Sequence, residues 1–263
     1  MNKIFSLIIA MVCIMPAMAQ ETKADSKRNK KEVRRQRINA IAKQEEEGVI
    51  KYKKHFGGGG KLTTDGYGGF IEIGRAQSVN KALLFQLDIS ERKHPTENKT
   101  AYNFTTTVPI AYGKLNFFYP VKLGVQQQFL LGNKGNKNGV SVTGNVGGGL
   151  IAGLLRPYYI EIDSLGNRVD VSYKSDSSGF LNIARYIGGP SLGKGWNGLT
   201  VTPGLYFKPS VRFDYGKYNE MINAVEVGLI GEFYSKKIPQ MLYAKQKQFF
   251  FSAYVALMFG RRK

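Results

Sequence analysis

The stretch Gln248–Phe259, QFFFSAYVALMF, separates into two faces when read with the two-residue period of an extended chain. Phe249, Phe251, Ala253, Val255, Leu257 and Phe259 fall on one face. Phe250, Ser252, Tyr254, Ala256 and Met258 fall on the other, where the small and polar side chains are. A face as apolar as the first is either packed in a core or turned toward lipid.

The same two-faced pattern recurs upstream. Tyr206, Lys208, Ser210, Arg212 and Asp214 alternate with Leu205, Phe207, Pro209, Val211 and Phe213. Val225, Val227, Leu229 and Phe233 alternate with Glu226, Gly228 and Glu232, and Leu83, Phe85, Leu87 and Ile89 with Gln86, Asp88 and Ser90. Residues 115–125 and 140–150 repeat it. Each run is about 10–14 residues, the length of a tilted strand crossing a bilayer. Strands of soluble sandwiches are usually nearer ~5–6 residues. With weaker segments at 49–61 and 66–76 the total is about eight, an allowed even number for an outer-membrane barrel.

A soluble β-sandwich also needs only one apolar face per strand, so alternation alone does not decide. The spacing of the links does more. Short links at 77–81, 127–138 and 214–222 alternate with long ones at 93–112, 155–198 and 235–246, while Thr63–Gly66 is a tight hairpin on the long-link side. Both termini then lie in the periplasm and the long links outside. The 31 glycines, 16 phenylalanines and 15 tyrosines suit crowded strands and aromatic girdles. The expected class is an all-β transmembrane antiparallel barrel with a short charged, possibly helical N-terminal extension.

The chain opens with Lys3, an apolar run from Ile4 to Met15, Pro16 and Ala17-Met18-Ala19. This is the layout of a cleavable secretory signal, cut after Ala19. Its apolar run is shorter than the roughly 20 residues a spanning helix needs. The single cysteine, Cys13, lies inside it, so neither disulfide nor thiol chemistry is expected of the exported chain. Residues 20–47 are rich in Lys, Arg and Gln, lack aromatics, and read as a charged periplasmic extension. The barrel then occupies 48–263, with its large extracellular loop at 156–198.

If the apolar faces meet lipid, the polar faces line the barrel. Lys53, Glu72, Asp88, Arg92, Lys114, Lys122, Lys208, Arg212, Glu226 and Glu232 then form an interior charge network, joined by His55 and Gln86. An eight-stranded barrel is just wide enough for its own side chains to fill it. Charges of both signs in that space should pair, which predicts a plugged interior. An open solute channel is not expected.

No spacing among His, Asp and Glu suggests a metal, and no cofactor motif occurs. Gly57–Gly60 lacks the Lys-Ser/Thr of a phosphate-binding loop and reads as a crowded strand. His94, beside Glu91 or Glu97 and a loop serine such as Ser175, is the one group that could imitate a hydrolase site at the rim; an ordinary polar rim is the simpler reading. The formal charge of +19 calls for anionic partners. Export and the absence of motifs exclude nucleic acid, whereas outer-membrane lipid and lipopolysaccharide phosphates suit Lys and Arg at the rims. In the large loop, 158–162 and 168–173 flank Asp163-Ser164-Leu165-Gly166-Asn167 as a hairpin, and Phe180–Ile187 reads as a short helix. Phe180, Ile183, Tyr186 and Trp196 are the candidate docking residues.

The stretches Gly113–Tyr119 (GKLNFFY), Gly139-Val140, Gly153–Tyr159 (GLLRPYY) and Leu87–Pro95 (LDISERKHP) resemble small outer-membrane barrels of Bacteroidetes-type bacteria. The resemblance covers most of residues 48–260, and its motifs belong to strand ends and turns. It implies no catalytic residue. Some similar barrels are accessory parts of outer-membrane assembly or secretion complexes. One departure is the C-terminus, where Phe259 is followed by four residues although many barrels end on the aromatic. The expected function is a non-enzymatic outer-membrane accessory subunit that docks other outer-membrane or periplasmic proteins. A small pore, a surface ligand-binding barrel and, last, a lipid-modifying enzyme are the alternatives.

Overall fold

The computed structural model describes residues 53–78, 80–100, 108–134, 139–189, 193–216 and 220–263, together with Glu32, Val33, Arg35 and Gln36, which are helical. The expected signal peptide (1–19) and the rest of the expected 20–47 extension lie outside the described residues. The strands are β1 (Lys54–Thr63), β2 (Gly66–Ser78), β3 (Lys81–Arg92), β4 (Lys99–Thr100), β5 (Ile110–Ala111), β6 (Asn116–Gly132), β7 (Ser141–Pro157), β8 (Tyr159–Ser164), β9 (Asn167–Ser172), β10 (Tyr186–Gly188), β11 (Thr200–Asp214), β12 (Met221–Ile238) and β13 (Lys247–Arg262). Within residues 53–263 a short α-helix, α1, spans Ser177–Leu181.

Eight of these strands close into an antiparallel barrel in the order β1-β13-β12-β11-β7-β6-β3-β2. The seam is made by the first and last strands, from His55 opposite Arg262 to Thr63 opposite Tyr254. Closure pairs the first strand with the last, so the wall has no free edge along that seam, as a strand-built membrane protein requires.

The distribution of side chains is inverted relative to a soluble protein. Each barrel strand exposes large apolar residues outward: Leu62, Ile71, Phe85, Leu123, Leu150, Phe207, Val227 and Val255 give one from each. The inward positions bury Lys61, Glu72, Asp88, Arg92, Lys122, Lys208, Arg212, Glu226 and Glu232. An apolar surface encircling the whole molecule has only lipid as a stable solvent. The last strand follows the pattern read from its sequence, with Phe249, Phe251, Val255, Leu257 and Phe259 exposed and Ser252, Tyr254, Ala256 and Met258 buried.

Both ends of the described barrel chain lie at one end with the β2–β3, β6–β7 and β11–β12 connections, and the described residues of the β3–β6, β7–β11 and β12–β13 connections lie at the other. That is the expected parity. The strands are longer than expected, up to 18 residues in β12. β6 runs through 127–132, where a turn was anticipated. Its inward Gln126 and Gln128 bond Gln86 and Thr143, so the ladder keeps its interior partners to the end of the wall.

Two glycines make room for the interior. A Cβ at Gly74 would fall 1.9 Å from the His55 ring, and one at Gly124 would meet the Tyr206 hydroxyl at 2.3 Å. Small residues on one strand thus admit large side chains from another.

Candidate functional site

The barrel interior holds two linked clusters of charge. Nearer the chain-terminus end, Arg212 grips both oxygens of Glu72 at 2.8 Å and also reaches Glu226, at 2.6 and 2.8 Å. Glu226 is further held by Lys208 at 3.0 Å, the Tyr254 hydroxyl at 2.6 Å and Asn145 at 3.3 Å. His55 sits 3.0 Å from Glu72. Nearer the long-loop end, Arg92 is bidentate on Glu232 at 2.6 and 3.1 Å and pairs with Asp65 at 2.5 Å. Lys122 joins Glu232 at 3.1 Å, and Asp88 takes Lys61. Tyr234 donates to Glu232 at 2.8 Å. At the terminal rim Arg262 pairs with Asp214.

These cations are Lys61, Arg92, Lys122, Lys208, Arg212 and Arg262; the anions are Asp65, Glu72, Asp88, Asp214, Glu226 and Glu232. Among the described residues six meet six, so the charges of this network balance apart from His55. A buried ion pair is tolerated only when its remaining hydrogen-bonding groups are also met. Tyr254, Tyr234, Ser90, Ser252 and Asn145 meet several of them here. The chain's excess of +19 therefore lies outside this network.

Eight of the ten residues assigned from sequence to the interior sit there: Glu72, Asp88, Arg92, Lys122, Lys208, Arg212, Glu226 and Glu232. Two do not. Lys53 is exposed at the foot of the wall, where its amide donates to the Lys263 carbonyl, because β1 begins only at Lys54. Lys114 is buried, but beyond the end of β6. Gly113 turns the chain at φ 70°, and Lys114 pairs with Glu97 at 2.6 Å, 4.1 Å above the Phe117 ring. Burial pulls the Lys114 ammonium below its usual pKa, and Glu97 opposes that. The sequence reading missed Lys61, whose strand is blurred by four glycines, and Asp65, which looked like an ordinary hairpin residue.

The three long links form a cap with a core of its own. β8, β9 and β10 make a three-stranded sheet in the order β10-β8-β9, and β4 pairs with β5. Ile110, Tyr158, Ile160, Ile162, Phe180 and Tyr186 pack together with Ala111 and Val171. The links are joined by backbone hydrogen bonds: Leu115 to Gln240 at 2.8 Å, Leu242 to Gly113 at 2.8 Å, and Tyr158 to Leu115 at 2.9 Å. Asn116 donates to the Pro239 carbonyl at 2.7 Å. Gln240, Met241 and Ile238 are buried beneath them.

This placement corrects the docking set. Phe180 and Tyr186 are buried in the cap core, where Phe180 meets Tyr158 and Tyr173 edge-on. The expected helix at 180–187 is instead α1, a short 3-10 turn at Ile183–Arg185, and β10. Asp176 caps α1 by accepting from the Gly179 amide at 2.9 Å. Ile183 and Trp196 are exposed. Trp196 stacks on Tyr119 at 5.8 Å, and the Arg156 guanidinium lies 4.2 Å from Phe117 and 5.1 Å from Trp196. An outward ladder of aromatics and arginine at a barrel rim suits the bilayer interface, where one side of each ring is apolar and the other wet.

The hydrolase-like grouping is not assembled. His94 Nδ1 lies 2.7 Å from Thr96 in its own loop, Glu97 is taken by Lys114, Glu91 accepts from Tyr67, and Ser175 bonds Ser172. Among the described residues no group of three or more His, Cys, Asp or Glu is placed to hold a metal.

Fold and interior together define a small membrane-spanning barrel of the outer-membrane type. No protein-family model and no curated protein matches the chain. Among solved structures it is similar to the N-terminal β-barrel domain of Pseudomonas aeruginosa OprF, at 11% identity and a TM-score of 0.33, covering 80% of this chain and 98% of that one. It is also similar to Neisserial surface protein A, at 10% identity and 0.36, over 80% and 95%. The third is Ail, the attachment invasion locus protein of Yersinia pestis, at 8% identity and 0.39, over 81% and 99%.

Proposed function

We propose that this chain is a non-enzymatic barrel of the outer membrane, with its termini in the periplasm. The barrel serves as a filled anchor, and the cap and the basic N-terminal extension dock other outer-membrane or periplasmic proteins as an accessory subunit. The observation that carries the reading is Leu165. It stands at the tip of the β8–β9 hairpin, fully exposed, with a backbone φ of 56°. Ser164 pairs with Asn167, so Leu165 and Gly166 are the two central residues of the turn, and both have positive φ. Such turns favour Asn, Asp or Gly, and a leucine there costs on the order of 1–3 kcal/mol of strain. A large apolar side chain held in a strained conformation in water is poor for stability and well placed for a partner's pocket.

A small pore fits less well, because six cations and six anions fill and pair across the lumen. The test is a mild-detergent pull-down of the tagged chain, with mass spectrometry of what accompanies it. Stoichiometric partners retained by wild type and lost from Leu165→Asn or from a chain lacking 20–47 are expected. The Leu165→Asn cap should at the same time resist protease better than wild type. A barrel that comes down alone would overturn the accessory role.

A further inference from the structure

The barrel wall has a step. β1 and β2 meet in a hairpin at Thr63–Gly66, and the Thr64 amide donating to the Ala253 carbonyl at 2.9 Å is the top of their seam with β13. Above that point β13 continues from Ser252 to Lys247 with β12 on one side and, among the described residues, no strand on the other. The step forms a shelf, and a small cleft against it is lined by His94, Lys245, Lys247 and Phe250 among others.

Two chemistries meet on it. Phe249 and Phe251 of β13, with Phe233 paired opposite Phe249 on β12, are exposed on the outward face. Two residues beyond Phe249, on the same face and about 7 Å along the strand, comes Lys247. Lys245 and Lys247 line the same cleft as His94, and Lys93 precedes His94 in the chain. Lys93, Lys245 and Lys247 are all exposed, and among the described residues none of them forms an ion pair. Of the nearby carboxylates, Glu97 is paired with Lys114, while Glu91 accepts a hydrogen bond from the neutral Tyr67 hydroxyl and keeps its charge; Lys93 lies 5.4 Å from the centre of the Tyr67 ring. Burial, and then the charge of Lys247, hold His94 below its usual pKa, opposed by Glu97. With no ion pair among the described residues, the three lysines are open to an anion, and beside Phe249 and Phe251 that anion continues into something apolar.

We propose that this shelf is a site for one phosphorylated glycolipid of the surrounding leaflet. Its acyl chains would lie against Phe233, Phe249 and Phe251, and its phosphate against Lys93, Lys245 and Lys247. The proposal rests on the reading above that the cap end faces outward. Three lysines converging near a headgroup give an affinity that falls with salt.

The experiment is native mass spectrometry of the full chain released from bilayers containing lipid A, phosphate-free lipid A, or neither. One lipid A should be retained per chain. The variant Lys93→Gln/Lys245→Gln/Lys247→Gln should weaken retention by about a hundredfold. The control Lys53→Gln/Lys54→Gln/Lys263→Gln, at the opposite end, should leave it unchanged. Excess inorganic phosphate should not displace the lipid. Equal retention by the shelf variant, equal binding of the phosphate-free lipid, or full displacement by free phosphate would each overturn the site. Orientation is checked separately with Leu165→Cys and an impermeant maleimide on intact cells. Labelling from outside supports the reading on which the proposal rests; its absence defeats that reading even if lipid still binds the purified chain.

Discussion

The barrel interior and the cap are two cores built on opposite chemistry within one chain. In the cap, Tyr158, Ile160, Ile162 and Phe180 exclude water in the way a soluble domain does. In the barrel, Glu72, Arg212, Glu226 and Lys208 meet at 2.6–3.0 Å with almost no exposure. The reason is what lies outside each. The cap stands in water and gains by hiding apolar surface. The barrel stands in lipid and has already placed its apolar surface outward, so its interior is filled by side chains that lipid will not take. A polar core of that kind is stable only if its charges are met by opposite charges, which accounts for the six-against-six balance among the described residues.

The comparison can be broken most severely at Glu226. Glu226→Leu strands Lys208 in the lumen and leaves Arg212 with Glu72 alone, and removing one partner of a buried pair costs about 3–5 kcal/mol. Urea unfolding in lipid vesicles should show the loss across the whole barrel. Phe180→Ala should cost a similar or slightly smaller amount, about 3–5 kcal/mol, but only in the cap. Protease cleavage within 158–199 should accelerate while the barrel's heat-modified gel shift stays put. Gly74→Ala drives a methyl into the His55 ring and should cost about 1–3 kcal/mol. Smallest of all is the double change Lys61→Met with Asp88→Leu. Each single variant should destabilise the barrel, yet the double variant should recover most of the loss, because removing both members of a buried pair is often nearly neutral. A double variant as damaged as the sum of the singles would mean that the pair does not act as a unit.

The fold was legible because a transmembrane strand must alternate over its whole length, and Gln248–Phe259 does so with almost no exceptions. The parity of short and long links then set which end carries the loops. The interior was legible for the same reason, wherever the strand was regular. It failed at the ends. Lys53 was carried inward by extending the period below Lys54, and Lys114 by extending it above Asn116, where Gly113 had already turned the chain away. Lys61 was lost because Gly57–Gly60 gives no side chains from which to count faces. The cap was the least legible part. Phe180 and Tyr186 are apolar loop residues, and sequence alone does not tell a loop's private core from a surface offered to a partner. The feature on which the proposed docking surface rests, the positive φ of Leu165, is visible only once the turn's register is known.

The most direct test of the account is the conductance of the purified chain in a planar bilayer. A lumen filled by paired charge and closed over by a hydrogen-bonded cap predicts a flat trace, with steps emerging only when the network is opened by Glu226→Leu. Reproducible single-channel steps from the wild-type chain would contradict the filled anchor on which the rest depends.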